Sequence, residues 1–397
     1  MLTVREAQAI LKKEIIKGND ILEVGLYDSL NMVLADDIYS PINVPEFPKS
    51  AMDGYAVRSE DFSDGELKKL KVLEKVVAGD SKDIEPLKNS AIRIMTGGEI
   101  PQGYDAIVKQ EDTDYGVDYV DIRKIPKKHD FYCPKGEDIK KGELLLTKGT
   151  QIKSVHLGLI ASVGLDKVKI IEPIKVSVLS TGSELLLPGM ELLKGHIYSS
   201  SNFIMGGQLK QEGINLLDSS VCKDDIETLS TEILKRLEKT DVLITTGGVS
   251  VGEKDLLPDV VENIGAEILF KKINIKPGTP VMASKYKDKI ILSFSGNPYA
   301  TLVNFRVLFW PMVSEYYKSK DLDNNIVKTE VAEGYLKPST LERYVRAKYI
   351  GGKVYIPDSH KSSVISNLTD CNCFIIQKEN TELKKGEKVD IILLERI

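Results

Sequence analysis

Between Ile174 and Tyr317 the chain alternates short apolar runs with segments in which apolar residues recur every three or four positions. The short runs predict strands, and the periodic segments predict helices. Predicted strands cover 175–181, 214–222, 241–246 and 289–294, and predicted helices cover 203–213, 225–239, 256–265 and 299–317. Strands and helices that alternate at this spacing predict a doubly wound, parallel α/β sheet.

The segments before and after this region predict β structure instead. Residues 40–150 are rich in Gly, Pro and short β-prone runs, and residues 343–397 show the same pattern. Helical spacing occurs only over residues 1–16 and 154–164. The polar stretch 318–328 predicts a linker, so we expect the chain to end in a compact all-β module.

Composition limits the class of protein. A chain of 397 residues is expected to form about two to four domains. Its formal net charge of −5 argues against general electrostatic binding of nucleic acid. The same charge does not exclude a local basic pocket for a small anion. The four cysteines lack the spacing of a zinc site, and no window has the long uncharged apolar run of a membrane span. We therefore expect a reducing, cytoplasmic location, with no membrane or nucleic acid among the partners.

Four loops follow the predicted strands at their carboxyl ends, where open α/β sheets bind ligands. They carry Thr181 and Glu184, then Asp224 and Asp225, then Gly247, Gly248, Ser250 and Asp255, and finally Ser295, Gly296 and Asn297. The glycines predict an anion-binding turn, although a glycine pair after a strand is more often only a tight turn. The carboxylates can together hold Mg²⁺, but each one alone is more often a helix cap or a first-turn residue.

Two further features are candidate chemistry. Lys271, Lys272 and Lys276 precede a Pro-Gly turn and suit an oxyanion, although a solvated strand edge would explain them as well. The stretch PEFPKSAMDGYAV, residues 45–57, combines prolines with an Asp-Gly pair and predicts that Asp53 lies on a rigid loop. The four histidines are scattered, so we assign none of them to metal binding or catalysis.

Seven motifs occur in one order along nearly the whole chain. They are AMDGYAV, IMTGGEIPQGYDAIV, GEDIKKGE, LSTGSEL, TTGGVSVGEKD, NIKPGTP and SGNP. Together they strongly resemble the molybdopterin molybdenumtransferase family, which includes the C-terminal domain of gephyrin. The resemblance implies insertion of molybdate into the dithiolene of adenylylated molybdopterin, with release of AMP and a requirement for a divalent cation, expected to be Mg²⁺.

The resemblance also implies the architecture. The expected subunit is elongated and multidomain, with α/β and β parts: a connecting α/β domain (21–42 and 139–172), a β-rich domain (43–138), an α/β molybdopterin-binding domain (1–20 and 173–320) and a small C-terminal β-barrel (321–397). Family members are homodimers whose active site lies between the α/β domain of one subunit and the second domain of the other. The molybdopterin adenylyltransferase is a candidate partner.

The same motifs imply site residues. Catalytic roles are implied for Asp53, Thr96, Asp138, Glu184, Asp224 and Asp255, of which Glu184, Asp224 and Asp255 are the implied metal ligands. Substrate binding is implied for Gly247, Gly248, Ser250, Lys272, Lys276, Gly296, Asn297, Pro298, Arg343, Ser359 and Ser362. No protein nucleophile is expected, because the dithiolene sulfurs and a molybdate oxygen supply the reacting atoms.

Four positions depart from the family pattern. Ser199 and Ser201 stand where the family usually has aspartate and asparagine, Cys133 replaces a basic residue, and Thr279 replaces a lysine. Each change removes a charge or an amide near the expected ligand. A paralogue that inserts tungstate and a non-catalytic molybdopterin-binding or scaffold protein therefore stay as alternatives, although retention of the implied catalytic carboxylates favours the enzyme.

Overall fold

The computed structural model describes residues 1–249, 256–359 and 361–394. The chain forms two compact units. The first, which we call the sheet–barrel unit, consists of Met1–Asp36, Lys148–Ser154 and Lys167–Ile397. The second, the β-rich unit, consists of Asp37–Thr147 and Val155–Asp166. The finer division into four domains stays a prediction.

The helices of the described ranges are α1 Val4–Glu14, α2 Ser154–Ser162, α3 Ser201–Gln211, α4 Ile226–Leu237, α5 Leu256–Asn263, α6 Pro298–Asn304 and α7 Trp310–Tyr317. A π-helical stretch, Phe305–Phe309, joins α6 to α7. The helix predicted over 299–317 therefore runs on without a break but changes pitch, because Pro311 in the first turn of α7 has no amide to donate. Short 3₁₀ turns cover Tyr27–Ser29, Ser59–Phe62, Gln110–Asp112, Lys320–Leu322 and Ser366–Asp370. None of the helices in these ranges is long and apolar enough to cross a membrane.

The strands of the described residues fall into seven sheets. Up to residue 171 they are β1 Ile21–Gly25, β2 Ile38–Tyr39, β3 Lys49–Ser50, β4 Gly54–Val57, β5 Lys69–Val76, β6 Ser90–Ile94, β7 Ala106–Lys109, β8 Tyr119–Asp121, β9 Tyr132–Cys133, β10 Leu144–Leu146 and β11 Lys167–Ile171. The others are β12 Lys175–Thr181, β13 Leu185–Leu186, β14 Ile197–Tyr198, β15 Asn215–Cys222, β16 Val242–Thr246, β17 Glu267–Lys271, β18 Val281–Tyr286, β19 Lys289–Phe294, β20 Ile326–Glu333, β21 Arg343–Ile350, β22 Lys353–Tyr355, β23 Cys373–Gln377 and β24 Lys388–Leu393.

A six-stranded sheet of order β15-β12-β16-β19-β18-β17 forms the centre of the sheet–barrel unit. The strands β15, β12, β16 and β19 are parallel, as predicted. The edge pair β18 and β17 is antiparallel and was not predicted. For β18 and β19 the reason is their connection, a tight turn at Lys287 with φ of +55°, which leaves no room for the helix that a parallel crossover requires.

Alternate side chains of this sheet point into two apolar cores. Val176 and Val178 pack with α1, α3, α6 and α7 on one face. Leu179 and Leu243 pack with α4 and α5 on the other face. Helices therefore cover both faces, which confirms the doubly wound α/β prediction.

A closed five-stranded barrel, β20-β22-β21-β23-β24, ends the chain and confirms the predicted all-β module. It has its own apolar core around Val331, Val345 and Ile391. The predicted linker is shorter than expected: β20 begins at Ile326, and Leu322 before it is buried in the main core.

The β-rich unit contains a five-stranded sheet of order β7-β4-β6-β5-β8. Tyr55 and Val57 of the interior strand β4 face one apolar cluster, and Ala56 faces another. A Cβ on Gly54, at the start of β4, would lie 2.0 Å from the carbonyl oxygen of Val108. Glycine is therefore required where β4 meets β7.

Gly54→Ala should lower the stability of the protein by about 1–3 kcal/mol, because the contact is with backbone that cannot rotate away. The midpoint of urea unfolding measures this change. Gly158→Ala is the matched control, since Gly158 lies inside α2 of the same unit with nothing within 4 Å of its added Cβ. That variant should gain about 0.5–1 kcal/mol from helix propensity. Equal midpoints for the two variants would contradict the steric argument.

Candidate functional site

A cavity of about 300 Å³ opens at the carboxyl ends of β12 and β16. The connection after β12 passes through α3, and the one after β16 passes through α5 on the opposite face. The crevice between these strand ends is therefore the topological switch point of the sheet, where such folds bind ligands. Six predicted site residues line this switch-point cavity: Glu184, Asp224, Gly247, Gly248, Gly296 and Pro298.

The glycine turn after β16 brings backbone close to the cavity. Gly247 and Gly248 have φ of +93° and +64°, and a Cβ on Gly247 would lie 2.3 Å from the carbonyl oxygen of Thr181. The Gly247 amide donates to the carbonyl of Phe294 at 3.0 Å, so this residue contributes space rather than a free donor. Within the described ranges the amide of Gly248 has no acceptor and stays available to an anion.

Two carboxylates on the cavity wall have no partner among the residues that the structure describes. Glu184 and Asp224 make neither an ion pair nor a side-chain hydrogen bond with any residue of the described ranges. The neighbouring Asp225 caps α4, where its carboxylate accepts the Thr228 amide at 2.9 Å. Hydrogen bonds from the hydroxyl and amide of Thr228 lower the pKa of Asp225. The acidic pair thus divides into one cap and one carboxylate that faces the cavity.

The donor set fits a hard cation. Mg²⁺ prefers oxygen ligands and keeps several waters, so two carboxylates beside the serine hydroxyls of the cavity wall suit it. Across 1–249, 256–359 and 361–394, no three His, Cys, Asp or Glu side chains come together as a metal cluster. The third predicted ligand, Asp255, and the predicted substrate-binding Ser250 lie outside the described residues.

The SGNP turn connects the sheet to the barrel. Asn297 caps α6 by accepting the amides of Tyr299 and Ala300, each at 3.1 Å. Its side-chain nitrogen donates to the carbonyl of Ser362 at 3.1 Å. Two predicted site residues from distant parts of the chain are therefore in contact, and both Asn297 groups are used.

Two of the predicted basic residues, Lys276 and Arg343, also meet at this boundary. Lys276 pairs with Arg343 through backbone bonds: its amide donates to the Glu342 carbonyl, and its carbonyl accepts the Tyr344 amide, both at 2.8 Å. Lys272 is exposed and has φ of +60°, a conformation that is uncommon outside glycine. Neither lysine side chain lines the switch-point cavity.

Sequence reasoning missed Arg346, which is fully buried in β21. Its guanidinium donates to the carbonyls of Val364 and Lys361, and it lies 4.2 Å from the centre of the Tyr299 ring. The arginine thereby holds the loop that carries Ser362. The signal was present in the motif RYVRA, where an arginine stands between two apolar residues of a predicted strand, but only Arg343 was selected from it.

In the β-rich unit, Asp53 and Thr96 form a pair. The carboxylate of Asp53 accepts the Thr96 amide at 2.7 Å and the Thr96 hydroxyl at 2.8 Å. These bonds, the amide bond first, lower the pKa of Asp53. Asp138 lies on an exposed turn, and its backbone amide donates to the Val44 carbonyl at 3.0 Å. Asp138 makes no hydrogen bond to Asp53 or Thr96.

Comparison with known proteins places these residues in a family. Residues 2–164 match the MoeA N-terminal region (domain I and II), residues 177–315 a probable molybdopterin binding domain, and residues 328–394 the MoeA C-terminal region (domain IV). A molybdopterin molybdenumtransferase of Staphylococcus epidermidis is 35% identical over 99% of this chain and 96% of that protein. The chain belongs to the molybdopterin molybdenumtransferase family. This confirms the resemblance inferred from the seven motifs.

Other family members agree. The molybdopterin molybdenumtransferase of Haemophilus influenzae is 33% identical over 98% of both chains. A crystal structure of a molybdopterin biosynthesis MoeA protein from Pyrococcus horikoshii superposes with a TM-score of 0.85 at 29% identity, covering 100% of both chains. The predicted fold class, with an α/β part, a β-rich part and a terminal barrel, is thereby confirmed.

The departures from the molybdopterin molybdenumtransferase pattern lie in different surroundings. Ser199 and Ser201 are buried in the wall of the switch-point cavity, so these two changes alter the cavity itself. Thr279 instead donates to the Ile275 carbonyl at 2.5 Å and stabilises its own turn. Cys133 lies in β9 of the β-rich unit, and burial raises the pKa of its thiol.

The remaining predicted residue, Ser359, accepts a hydrogen bond at its carbonyl from the Asn367 side chain at 3.1 Å. The structure therefore gathers six predicted residues at the cavity and others at the boundary of sheet and barrel. Asp53, Thr96 and Asp138 belong to the β-rich unit.

Asp225→Ala should cost about 1 kcal/mol of stability, because it removes the cap of α4. Asp224→Ala is the matched control and should change stability by less than about 0.5 kcal/mol. Urea unfolding of the two variants measures the difference. A larger loss for Asp224→Ala would mean that Asp224 has a structural role.

Thr96→Val should raise the pKa of Asp53 part of the way to its ordinary value, since the hydroxyl bond is lost and the amide bond stays. The stabilising effect of the pair is present above the ordinary aspartate pKa of about 3.9 and is lost as the pH falls through the lowered folded value. Carboxyl ¹³C NMR titration measures the shift, with Asp53→Asn identifying the signal. Thr96→Ser keeps the hydroxyl and should keep the low pKa; a rise in that variant would contradict the assignment.

Proposed function

We propose that the chain is a molybdopterin molybdenumtransferase that inserts molybdate into adenylylated molybdopterin and releases AMP. In this reaction the two dithiolene thiols give their protons to one molybdate oxygen, which leaves as water while Mo(VI) bonds to both sulfurs. One water cleaves the phosphoanhydride, so that AMP leaves and the pterin keeps its phosphate. One observation carries the proposal: Glu184 and Asp224, which have no partner among the described residues, line the same cavity as the glycine turn, in a chain that belongs to this family. Both features suit a metal-bridged phosphate.

The residues of the cavity have complementary tasks in this proposal. Glu184 and Asp224 would hold Mg²⁺, with Asp255 as the proposed third ligand. When bound, Mg²⁺ supplies charge that stabilises the leaving phosphate. The Gly248 amide and the positive end of α3, which begins at Ser201 on the cavity wall, attract the phosphate oxygens.

The basic residues bind the other two anionic groups, molybdate and the pterin phosphate. Lys272, Lys276 and Arg343 supply positive charge for molybdate and the pterin phosphate. Asn297 and Ser362 keep the barrel loop next to the SGNP turn through their hydrogen bond. Asp53 and Thr96 complete the site from the β-rich unit of a second subunit, with Asp138 nearby.

Exposed apolar side chains support the homodimer. Residues 190–203 of the sheet–barrel unit carry five large apolar side chains that are each more than half exposed: Met190, Leu192, Leu193, Ile197 and Phe203. A concentration of large apolar side chains on a surface is typical of an interface. We assign this surface to the second copy of the chain.

The proposal further includes a cytoplasmic location and supply of the substrate by a molybdopterin adenylyltransferase. The substrate carries an adenylyl group, so a nucleotide-transferring enzyme must act before this one. The product, a metal-loaded pterin, then passes to an acceptor.

An assay of AMP release tests the reaction directly. The purified chain, adenylylated molybdopterin, Mg²⁺ and molybdate should release AMP, and omission of Mg²⁺ or molybdate should abolish release. Asp53→Asn should lower kcat on the order of 100-fold while leaving Tm nearly unchanged. Substrate binding without AMP release would favour the scaffold alternative, and preference for tungstate in competition would favour the paralogue.

Mixed dimers test the shared site in the same assay. Asp53→Asn and Glu184→Ala chains, each inactive alone, should regain about a quarter of the wild-type rate when mixed, because heterodimers form half of the population and have one intact site. No recovery would mean that each site is built from a single chain.

A further inference from the structure

Thr181 is an exception among the hydroxyl residues at the carboxyl edge of the sheet. It is the last residue of β12 and only 4% exposed, yet its hydroxyl has no hydrogen-bond partner in the part of the chain that the structure describes. The neighbouring hydroxyls are paired: Ser180 bonds to Thr246 at 2.7 Å, and Thr245 bonds to Ser293 at 2.9 Å. A buried donor without an acceptor costs free energy, so this one calls for an explanation.

The position of Thr181 points to a ligand. The residue lines the switch-point cavity together with Glu184 and the glycine turn. Its hydroxyl oxygen would lie 2.8 Å from a Cβ on Gly247 and 3.5 Å from one on Gly248. The hydroxyl is therefore packed against the glycine turn that lines the cavity, where the Gly248 amide has no acceptor among the described residues, and rotation about one bond would turn the hydroxyl toward a bound group.

The groups that line this part of the switch-point cavity all favour an anionic oxygen. The Gly248 amide, the Thr181 hydroxyl and the start of α3 can all donate to oxygen or attract negative charge. A purely structural threonine would leave its hydroxyl in a position where valine, which has the same shape, would pack without the unpaired donor. Threonine at this position is thus explained by an acceptor that arrives with the ligand.

We infer that the Thr181 hydroxyl donates a hydrogen bond to a tetrahedral oxyanion bound in the switch-point cavity, and that it orients this group. The inference rests on the proposed function, which supplies two such oxyanions, the adenylyl phosphate and molybdate. The phosphate is the better match, because the glycine-turn amide and the α3 terminus are typical of phosphate sites, and the basic residues proposed for molybdate do not line this cavity.

The experiment compares Thr181→Val with Thr245→Val. Both variants remove one buried strand hydroxyl, but only Thr245 loses a hydrogen bond within the protein, and it does not line the cavity. Thr181→Val should keep or raise the Tm and weaken AMP binding about tenfold, equivalent to about 1.4 kcal/mol. Thr245→Val should lower the Tm and leave the Kd for AMP unchanged. Thr181→Ser should retain wild-type affinity for AMP.

Calorimetry with AMP and with molybdate, both in the presence of Mg²⁺, distinguishes the two oxyanions. Weaker binding of AMP alone supports the phosphate assignment, whereas an effect on molybdate alone overturns that choice. A Tm loss in Thr181→Val equal to that of Thr245→Val, or unchanged affinity for both anions, overturns the inference. These are binding measurements, so a chain that binds AMP through Thr181 but releases none from substrate would refute the proposed function and leave the inference standing.

Discussion

Two neighbouring parallel strands, β12 and β16, come so close at their carboxyl ends that a side chain at the start of the turn after β16 would collide with β12. Gly247 meets this constraint because it has no Cβ and accepts a positive φ. The open crevice at the switch point depends on it. Glu184 follows β12, and the glycine turn follows β16. The candidate metal ligand and the candidate anion-binding turn therefore lie side by side, because the two strand ends are close together.

The barrel is held against the sheet by polar and apolar contacts. Tyr344, Phe374 and Ile392 of the barrel belong to the same apolar core as α6 and α7. Arg346 is fully buried next to the Tyr299 ring, and two of its three nitrogens donate to loop carbonyls, which offsets part of the cost of burying its charge. The loop with Ser362 is thereby held against Asn297.

Chemically equal side chains have unequal roles in this protein. Asp224 and Asp225 are adjacent, yet one caps a helix and the other faces the cavity. The same division separates Thr245, paired with Ser293, from Thr181, which lacks a partner in the described ranges. Local sequence contains no information on these differences, because each depends on which element lies opposite the side chain.

The sequence by itself determined the alternation of strands and helices, the terminal β module, the glycine turn and the family, because periodicity, turn residues and ordered motifs are local properties. It also indicated Glu184 and Asp224, since ligands in such folds lie after strands. Only the tertiary structure decided that β17 and β18 are antiparallel, that Leu322 is buried, that Arg346 holds a loop and that the Gly247 amide is already occupied. These facts concern pairs of residues far apart in the chain, and the physical cause in each case is the packing that brings the second residue to the first.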